Sequence, residues 1–134
     1  MDVCLQRPLF ATCSHHDSTI RIWNYKSFGC KLLRMFYFRL KENTQPNSEN
    51  KPLLTLSLHP SGYYLAVGCT DKLRFFHILS NELRPYRELP IKNAHIVKFS
   101  EGGHMIACAS PARDSEEISQ HEEVIHIFNS ITLE

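Results

Sequence analysis

Apolar and polar residues alternate over several short runs of this chain. The clearest runs are TIRIWN at 19–24, LLTLSLH at 53–59, AHIVKFS at 94–100 and VIHIFN at 124–129. Alternate residues of a β-strand point to opposite faces, and β-branched and aromatic residues favour that structure. The pattern therefore predicts half-buried strands joined by turns.

The stretch 58–79 shows the strand-and-turn pattern best. A tight PSG turn at 60–62 precedes an apolar run over 63–69, and a break at Asp71 precedes a second run over 73–79. Proline, glycine and aspartate between apolar runs mark turns. An antiparallel strand pair is predicted here. Asp71 is expected to cap its turn, so that Asp71→Ala should weaken folding rather than chemistry.

Other runs predict strands and loops from weaker signals. The run CKLLRMFYF at 30–38 has a spacing that also fits a helix, but its aromatic residues and the glycine before it favour a strand. RPYREL at 84–89 contains Pro85, which cannot donate to a ladder and so predicts an edge strand. Two polar stretches, 39–52 and 111–123, are predicted to be loop insertions.

These elements recur about every 40 residues, which is a repeat signature. The turn at 60–62 returns as EGG at 101–103, and a small apolar strand appears as FATCS, LAVGCT and IACAS. The closing strand appears as TIRIWN, KLRFFHI and VIHIFN. Cys13 and Cys69 are expected to occupy equivalent places, with the turn at Asp71 one residue shorter than its counterpart. The predicted repeat units are about 2–38, 53–89 and 94–134.

The closing strand and its turn resemble the WD40 repeat. In that family an aspartate in the turn precedes a strand that ends on tryptophan, and Asp, His, Ser or Thr, and Trp form a hydrogen-bond tetrad. Asp17 and TIRIWN match the pattern, and the tetrad-like residues of the first unit are Ser14, Asp17 and Trp23. Asp71 is the matching turn residue of the second unit. The tetrad is incomplete, because no Gly-His pair precedes a first strand and phenylalanine stands at or near the tryptophan position elsewhere.

The resemblance implies an all-β fold, namely a fragment of a WD40-type β-propeller. It would hold roughly three blades of four-stranded antiparallel sheet and would not close on its own. An open stack leaves two sheet faces bare, and about ten exposed apolar side chains at about 1.5–2 kcal/mol each would cost about 15–20 kcal/mol. That exceeds the about 5–15 kcal/mol that stabilises a domain. We therefore expect the chain to be a piece of a longer protein that binds the remaining blades or associates with itself.

A narrower resemblance rests on the runs SLHPSG, DKLR and FSEGGH. These runs are similar to those of the ciliary WD-repeat proteins, from which the two polar insertions depart. The resemblance implies a non-enzymatic interaction scaffold of the cilium or flagellum axoneme that docks or assembles inner dynein arms. The alternative is a general cytoplasmic WD-repeat adaptor, such as a ubiquitin-ligase substrate receptor or a trafficking subunit.

Composition narrows the class of partner. The chain has 15 Lys and Arg against 14 Asp and Glu, a net charge of +1, so no global field attracts nucleic acid or an anionic membrane. The start, MDVC, lacks the features of a signal peptide, which predicts a reducing, intracellular setting. The five cysteines are odd in number, form no C-x-x-C pair and lie in or beside apolar runs. They are predicted to be buried free thiols.

The patterns that could support metal binding or catalysis are weak. Cys13 and His15 stand too close for a zinc knuckle, and alternate strand residues point to opposite faces. His121 and His126 are too widely spaced for the zincin helix, which needs histidines at i and i+4. The acidic stretch 114–123 is predicted to be a solvated insertion, with a partner-docking loop as the alternative. We expect no enzyme activity, no cofactor, no metal, and no nucleic-acid or membrane partner.

Overall fold

The structure is a computed structural model that describes residues 1–26, 29–37, 53–112 and 123–134. Its strands are β1 (Asp2–Val3), β2 (Leu9–Ser14), β3 (Thr19–Asn24), β4 (Lys31–Tyr37), β5 (Leu53–Leu58), β6 (Tyr64–Cys69), β7 (Leu73–Ile78), β8 (Leu83–Leu89), β9 (Ile96–Phe99), β10 (Met105–Pro111) and β11 (Glu123–Asn129). Within the described ranges, no helix is long and apolar enough to cross a membrane.

The strands form three antiparallel sheets in chain order. The first sheet is β1-β2-β3-β4, the second is β5-β6-β7-β8, and the third is β9-β10-β11. Strand β8, which contains Pro85, lies at the edge of the second sheet, as the proline predicts. The predicted all-β architecture of successive blade-like sheets is confirmed. The bounds assigned to the repeat units stay a prediction.

Burial along the strands follows from the position of each sheet in the stack. Strand β9 alternates, because Val97 and Phe99 are buried while Ile96 and Lys98 are exposed. Strand β6 is buried on both faces from Leu65 onward, since the second sheet has a neighbour on each side. An alternating apolar run of the sequence therefore marks a strand with one buried face, and a continuous apolar run marks a strand that is buried on both faces.

Two core layers hold the sheets together. The first core layer, between the first and second sheets, has a centre formed by Leu9, Ala11, Ile20, Ile22, Leu53, Leu56, Leu58, Leu65, Val67, Cys69 and Phe76. The second core layer, between the second and third sheets, is formed by Ala66, Leu73, Phe75, Ile91, Ala94, Val97, Phe99, Ile106, Cys108 and Leu133. Burying such side chains contributes about 1.5–3 kcal/mol each, so packing between sheets is the main stabilising term.

A polar relay also joins the innermost strands of all three sheets. The Ser57 hydroxyl donates to the Asp2 carboxylate at 2.9 Å, and the Leu58 amide donates to the same oxygen at 2.8 Å. The Phe99 amide donates to the Ser57 oxygen at 3.1 Å. Ser57 is buried, so the relay satisfies polar groups that would otherwise be costly in the core. It fixes the relative position of β1, β5 and β9.

The register contradicts the expected equivalence of Cys13 and Cys69. Thr12 pairs with Arg21 in the first sheet, and Val67 pairs with Arg74 in the second. The loop between the strands, 70–72 against 15–18, is one residue shorter as predicted, but eight residues separate the first pair and six the second, so the register is displaced by one residue along the strand. One step along the strand reverses the face. Cys69 therefore takes the place of Ser14, and both cysteines face the first core layer from opposite sides.

The burial prediction for the cysteines is wrong at one position. Cys4, Cys69 and Cys108 are buried and Cys13 is half-buried, but Cys30 is exposed just before β4. Burial raises the pKa of the Cys69 thiol to about 12 and that of Cys108 to about 11. These two thiols act as small apolar side chains.

Residues 130–134 form a turn after β11. Leu133 in this turn has a φ of 58° and is buried in the second core layer. The Asn129 side chain accepts hydrogen bonds from the amides of Ile131 and Thr132, which favours that turn over an extended chain. The insertion 39–52, nearly all of 111–123 and His121 lie outside the described residues.

Candidate interaction site

The first turn of the first sheet holds its predicted aspartate in a local hydrogen-bond set. The Thr19 hydroxyl donates to Asp17 at 2.7 Å, and the Arg21 guanidinium donates to its other oxygen at 2.7 Å. A hydrogen bond from Ser14 lowers the pKa of Asp17 most, and the bonds from Thr19 and Arg21 lower it further. Ser14 and Asp17 are therefore brought together at the turn between β2 and β3, and their structural role in that turn stays a prediction.

Trp23 is not part of that set. Its indole nitrogen donates to the Thr12 hydroxyl at 3.0 Å, and its ring stacks on Phe10 with centroids 5.8 Å apart. Thr12 pairs with Arg21, and Phe10 pairs with Trp23. Thr12 and Trp23 are therefore diagonal cross-strand neighbours on the same face of the β2–β3 pair. The hydroxyl partner of the tryptophan is thus Thr12 and not Ser14.

Asp71 occupies the corresponding turn of the second sheet with fewer partners. Its carboxylate accepts a hydrogen bond from Arg74 at 2.7 Å, and the second oxygen is buried without a hydrogen-bond partner. The Arg74 side chain also lies 3.5 Å from Glu88. The predicted structural role of Asp71 in this turn stays a prediction.

A groove that the sequence patterns did not reveal lies between the second and third sheets, at the end where the β5–β6 and β9–β10 turns meet. Its volume is about 480 Å³, within the range of ligand pockets. We call it the histidine–tyrosine groove; its lining residues are His59, Tyr64, His77, Tyr86, Phe99, Gly102, Gly103, His104, Ser130 and Ile131. A sign of it exists in the sequence, since aromatic residues or histidine recur at the strand ends beside the HPSG and EGGH turns.

His59 forms the floor of this groove and links the two sheets. The Ser61 amide donates to its Nδ1 at 3.1 Å, so Nδ1 accepts and the proton is assigned to Nε2. Nε2 then donates to the Gly103 carbonyl of the third sheet at 3.0 Å. Gly103 has a φ of 75°, and a Cβ there would overlap the His59 ring. Glycine is therefore required for this close approach.

A cluster of rings forms the wall of the groove. The His77 and Tyr86 centroids are 4.4 Å apart, and those of Tyr64 and His77 are 4.9 Å apart. His59 packs edge-on against Tyr64 at 5.4 Å and against Phe99 at 5.1 Å. Burial and the neighbouring Tyr64 raise the pKa of Tyr86, so its hydroxyl keeps its proton at neutral pH. The wall is rigid, aromatic and edged with hydrogen-bond donors.

The groove has the side-chain chemistry of a binding surface. Tyr64, His77, Tyr86 and His104 make no side-chain hydrogen bond to another described residue. In the described part of the chain, no group of three or more His, Cys, Asp or Glu side chains is placed to hold a metal ion. Aromatic rings with polar edges are the side chains that dominate protein-binding surfaces.

The family model described as "WD domain, G-beta repeat" matches residues 2–24. These residues contain β1, β2 and β3 together with the Asp17 turn and Trp23. The first sheet thus contains a match to the WD40 repeat. The sheets that follow keep the architecture without the tryptophan, since Phe76 and Phe128 stand where the closing strand of the first sheet has Trp23.

Two relatives are similar to this chain over most of its length. Cilia- and flagella-associated protein 57 of Mus musculus is 35% identical over 134 residues, which is 100% of this chain and 9% of that protein. Cilia- and flagella-associated protein 57 A of Tetrahymena thermophila is 36% identical over 109 residues, 80% of this chain and 7% of that protein. The chain thus spans less than a tenth of the length of these curated relatives.

A solved structure supports the propeller architecture. The β-propeller domain of Cps50 (Swd1) from Myceliophteria thermophila superposes with a TM-score of 0.54 at 12% identity, covering 75% of this chain and 32% of that chain. At that identity the likeness concerns the fold alone. The three sheets are blade-like units of a propeller that the described residues do not close.

Proposed function

We propose that this chain is part of a non-enzymatic WD40 scaffold that binds other proteins in the axoneme of cilia or flagella. The observation that carries the proposal is the 35% identity to cilia- and flagella-associated protein 57 across the whole chain. The propeller architecture supports it, because rigid blades present variable loops to partners. In finer detail, we propose that the scaffold docks or assembles inner dynein arms on doublet microtubules.

Localisation of the full-length protein tests this function. A tagged full-length protein in ciliated cells is expected along the axoneme, and proximity labelling is expected to recover inner-dynein-arm components. A cytoplasmic protein that recovers ubiquitin-ligase or vesicle-coat subunits would contradict the axonemal role and favour the adaptor. Axonemal localisation without dynein-arm neighbours would contradict only the finer proposal.

We further propose that another sheet covers the outer face of the third sheet. Ile125 and Ile127 are 69% and 62% exposed there, whereas Ile20 and Ile22, on the matching face of the first sheet, are 0% and 3% exposed. That face is covered within a longer propeller or, for a polypeptide of these 134 residues alone, by a second copy. The isolated polypeptide is expected to elute as an associated species, and Ile125→Lys with Ile127→Lys should shift it toward the monomer. A sharp, cooperatively melting wild-type monomer would contradict this.

A further inference from the structure

We propose that the histidine–tyrosine groove binds an acidic peptide segment of a partner protein, with a glutamate or aspartate side chain seated among its donors. This inference rests on the proposed scaffold function and names the chemistry of its partner. Three observations carry it: the composition of the lining, the donors that remain unused, and the rigidity of the floor.

The lining is complementary to a carboxylate. Three imidazoles and two phenols line the groove, and no Asp or Glu side chain does. Arg84, which pairs with His77 across β7 and β8, lies near the same end of the second sheet. The one carboxylate bonded to Arg84, that of Glu82, is held outside the groove at 2.7 Å from the guanidinium. A second carboxylate from a partner therefore meets no acidic side chain among the lining residues.

The donors in the groove have no internal partner. Tyr64 and Tyr86 carry hydroxyl protons, and the rings of His77 and His104 each carry at least one N–H. The rings of Tyr64, His77 and Tyr86 pack on one another, but none of the four side chains makes a hydrogen bond to another described residue. A hydrogen bond from such a donor to an ionised acceptor is roughly twice as strong as a bond between neutral groups. The carboxylate is thus the ligand group that gains most from this set.

Hydrogen bonds preorganise the floor of the groove. His59 is bonded at both ring nitrogens, to the Ser61 amide and to the Gly103 carbonyl, and so it ties the β5–β6 turn to the third sheet. Phe99 is 7% exposed beneath it, and Ile131, at the mouth, is 80% exposed. The rings supply apolar contact for the aliphatic part of a peptide, while their edges supply the donors. Preorganisation lowers the entropy lost on binding.

Fluorescence anisotropy with the full-length protein tests the proposal. The probe is a labelled peptide of alternating glutamate and glycine with one central leucine, and the matched control peptide has glutamine in place of glutamate. Specific binding of the glutamate peptide is expected. His77→Phe and Tyr86→Phe keep the rings but delete the donors, and each is expected to weaken binding about tenfold.

Tyr63→Phe is the matched control variant. Tyr63 lies on the β5–β6 turn but outside the groove, 56% exposed beneath the Arg7 guanidinium. Its hydroxyl is expected to be neutral for binding. Thermal melts that stay the same for all three variants show that the fold is intact.

Several outcomes would overturn the proposal. Equal affinity for the glutamine peptide would show that charge does not matter, and an equal loss in Tyr63→Phe would place the site elsewhere. Binding of a phosphoserine peptide but not of the glutamate peptide would assign the groove to phosphate. An axonemal protein that binds no acidic peptide would end this inference alone, whereas a protein that binds the peptide but lies outside the axoneme would end only the proposed function.

Discussion

The first and second sheets fill the same strand positions with different chemistry. Thr12 and Trp23 of the first sheet form a hydrogen-bonded pair, whereas the register places Val67 and Phe76 at those positions in the second. The two sheets still pair their strands alike and pack on the same core layer. The blade architecture thus depends on the apolar faces and the turns, and the polar motif is one of two ways to complete it.

The two sheets differ most at Cys13 of the first sheet and Gly68 of the second. These residues occupy equivalent positions, and each faces the next sheet. A Cβ on Gly68 would overlap the Ala94 carbonyl oxygen and lie 2.7 Å from the Thr55 methyl group. Cys13 has room for a side chain beside the first core layer. We therefore expect Gly68→Ala to lower the free energy of unfolding by about 2–4 kcal/mol, since neither backbone nor β-branched neighbour can yield cheaply.

Urea denaturation of the full-length protein measures this loss. Cys13→Ala is the matched control at the equivalent position, and it is expected to cost less than about 1 kcal/mol because it removes only a half-buried thiol. Equal losses in the two variants would show that the second core layer is no tighter than the first.

Two substitutions replace the hydrogen-bonded Thr12–Trp23 pair of the first sheet with the residue types of the second sheet. Thr12→Val leaves the indole N–H of Trp23 without its acceptor and is expected to cost about 1–2 kcal/mol. Trp23→Phe removes the donor and part of the stacking on Phe10, at a similar cost. In the double variant the orphaned donor is gone, so the loss should be smaller than the sum by about 1 kcal/mol.

A double-mutant cycle on urea denaturation gives that coupling. Ser14→Ala paired with Trp23→Phe is the control cycle, because the indole bonds to Thr12 and not to Ser14. Additive losses in the Thr12 cycle, or coupling in the Ser14 cycle, would contradict the hydrogen bond seen here.

The sequence was enough to predict where the strands lie, but not which face of the sheet each side chain occupies. Alternation and turn residues predict the strands β2 to β11 of the described residues, whereas the two-residue β1 is too short to show alternation. The predicted equivalence of Cys13 and Cys69 was wrong because it matched residue types without the strand register. The register makes Gly68 equivalent to Cys13, and an offset of one residue reverses the face on which a side chain lies. The groove was missed because its residues come from strand ends far apart in the chain, which only the packing of two sheets brings together.

The two turn aspartates differ in how deeply their arginine partner is buried. The Arg74 side chain is 18% exposed beside Asp71, whereas the Arg21 side chain is 29% exposed beside Asp17. Asp71→Ala is expected to lower the free energy of unfolding by about 1 kcal/mol, because Glu88 still faces the guanidinium. Asp17→Ala should lower the thermal midpoint by less. A larger shift for Asp17→Ala in thermal melts would reverse the order that burial predicts.

The smallest effect expected is a pH dependence confined to the first turn. Hydrogen bonds from Ser14, then Thr19, and then Arg21 lower the pKa of Asp17 below its unfolded value. A lowered folded-state pKa means that the native state favours the ionised carboxylate. The resulting stability is fully present above the unfolded pKa of about 3.9 and is lost as the pH falls below it. Unfolding midpoints of the wild type should therefore fall more steeply than those of Asp17→Asn as the pH drops below about 4.

Ser14→Ala should give an intermediate slope, since it removes the hydrogen bond that lowers the pKa of Asp17 most and leaves the bonds from Thr19 and Arg21. Parallel pH profiles for the wild type and Asp17→Asn would show that the turn does not hold the carboxylate in its ionised form. In that case the hydrogen bonds around Asp17 would add no more stability than the residues that replace part of them in the second sheet. The difference in stability between the two sheets would then come from the Thr12–Trp23 pair alone.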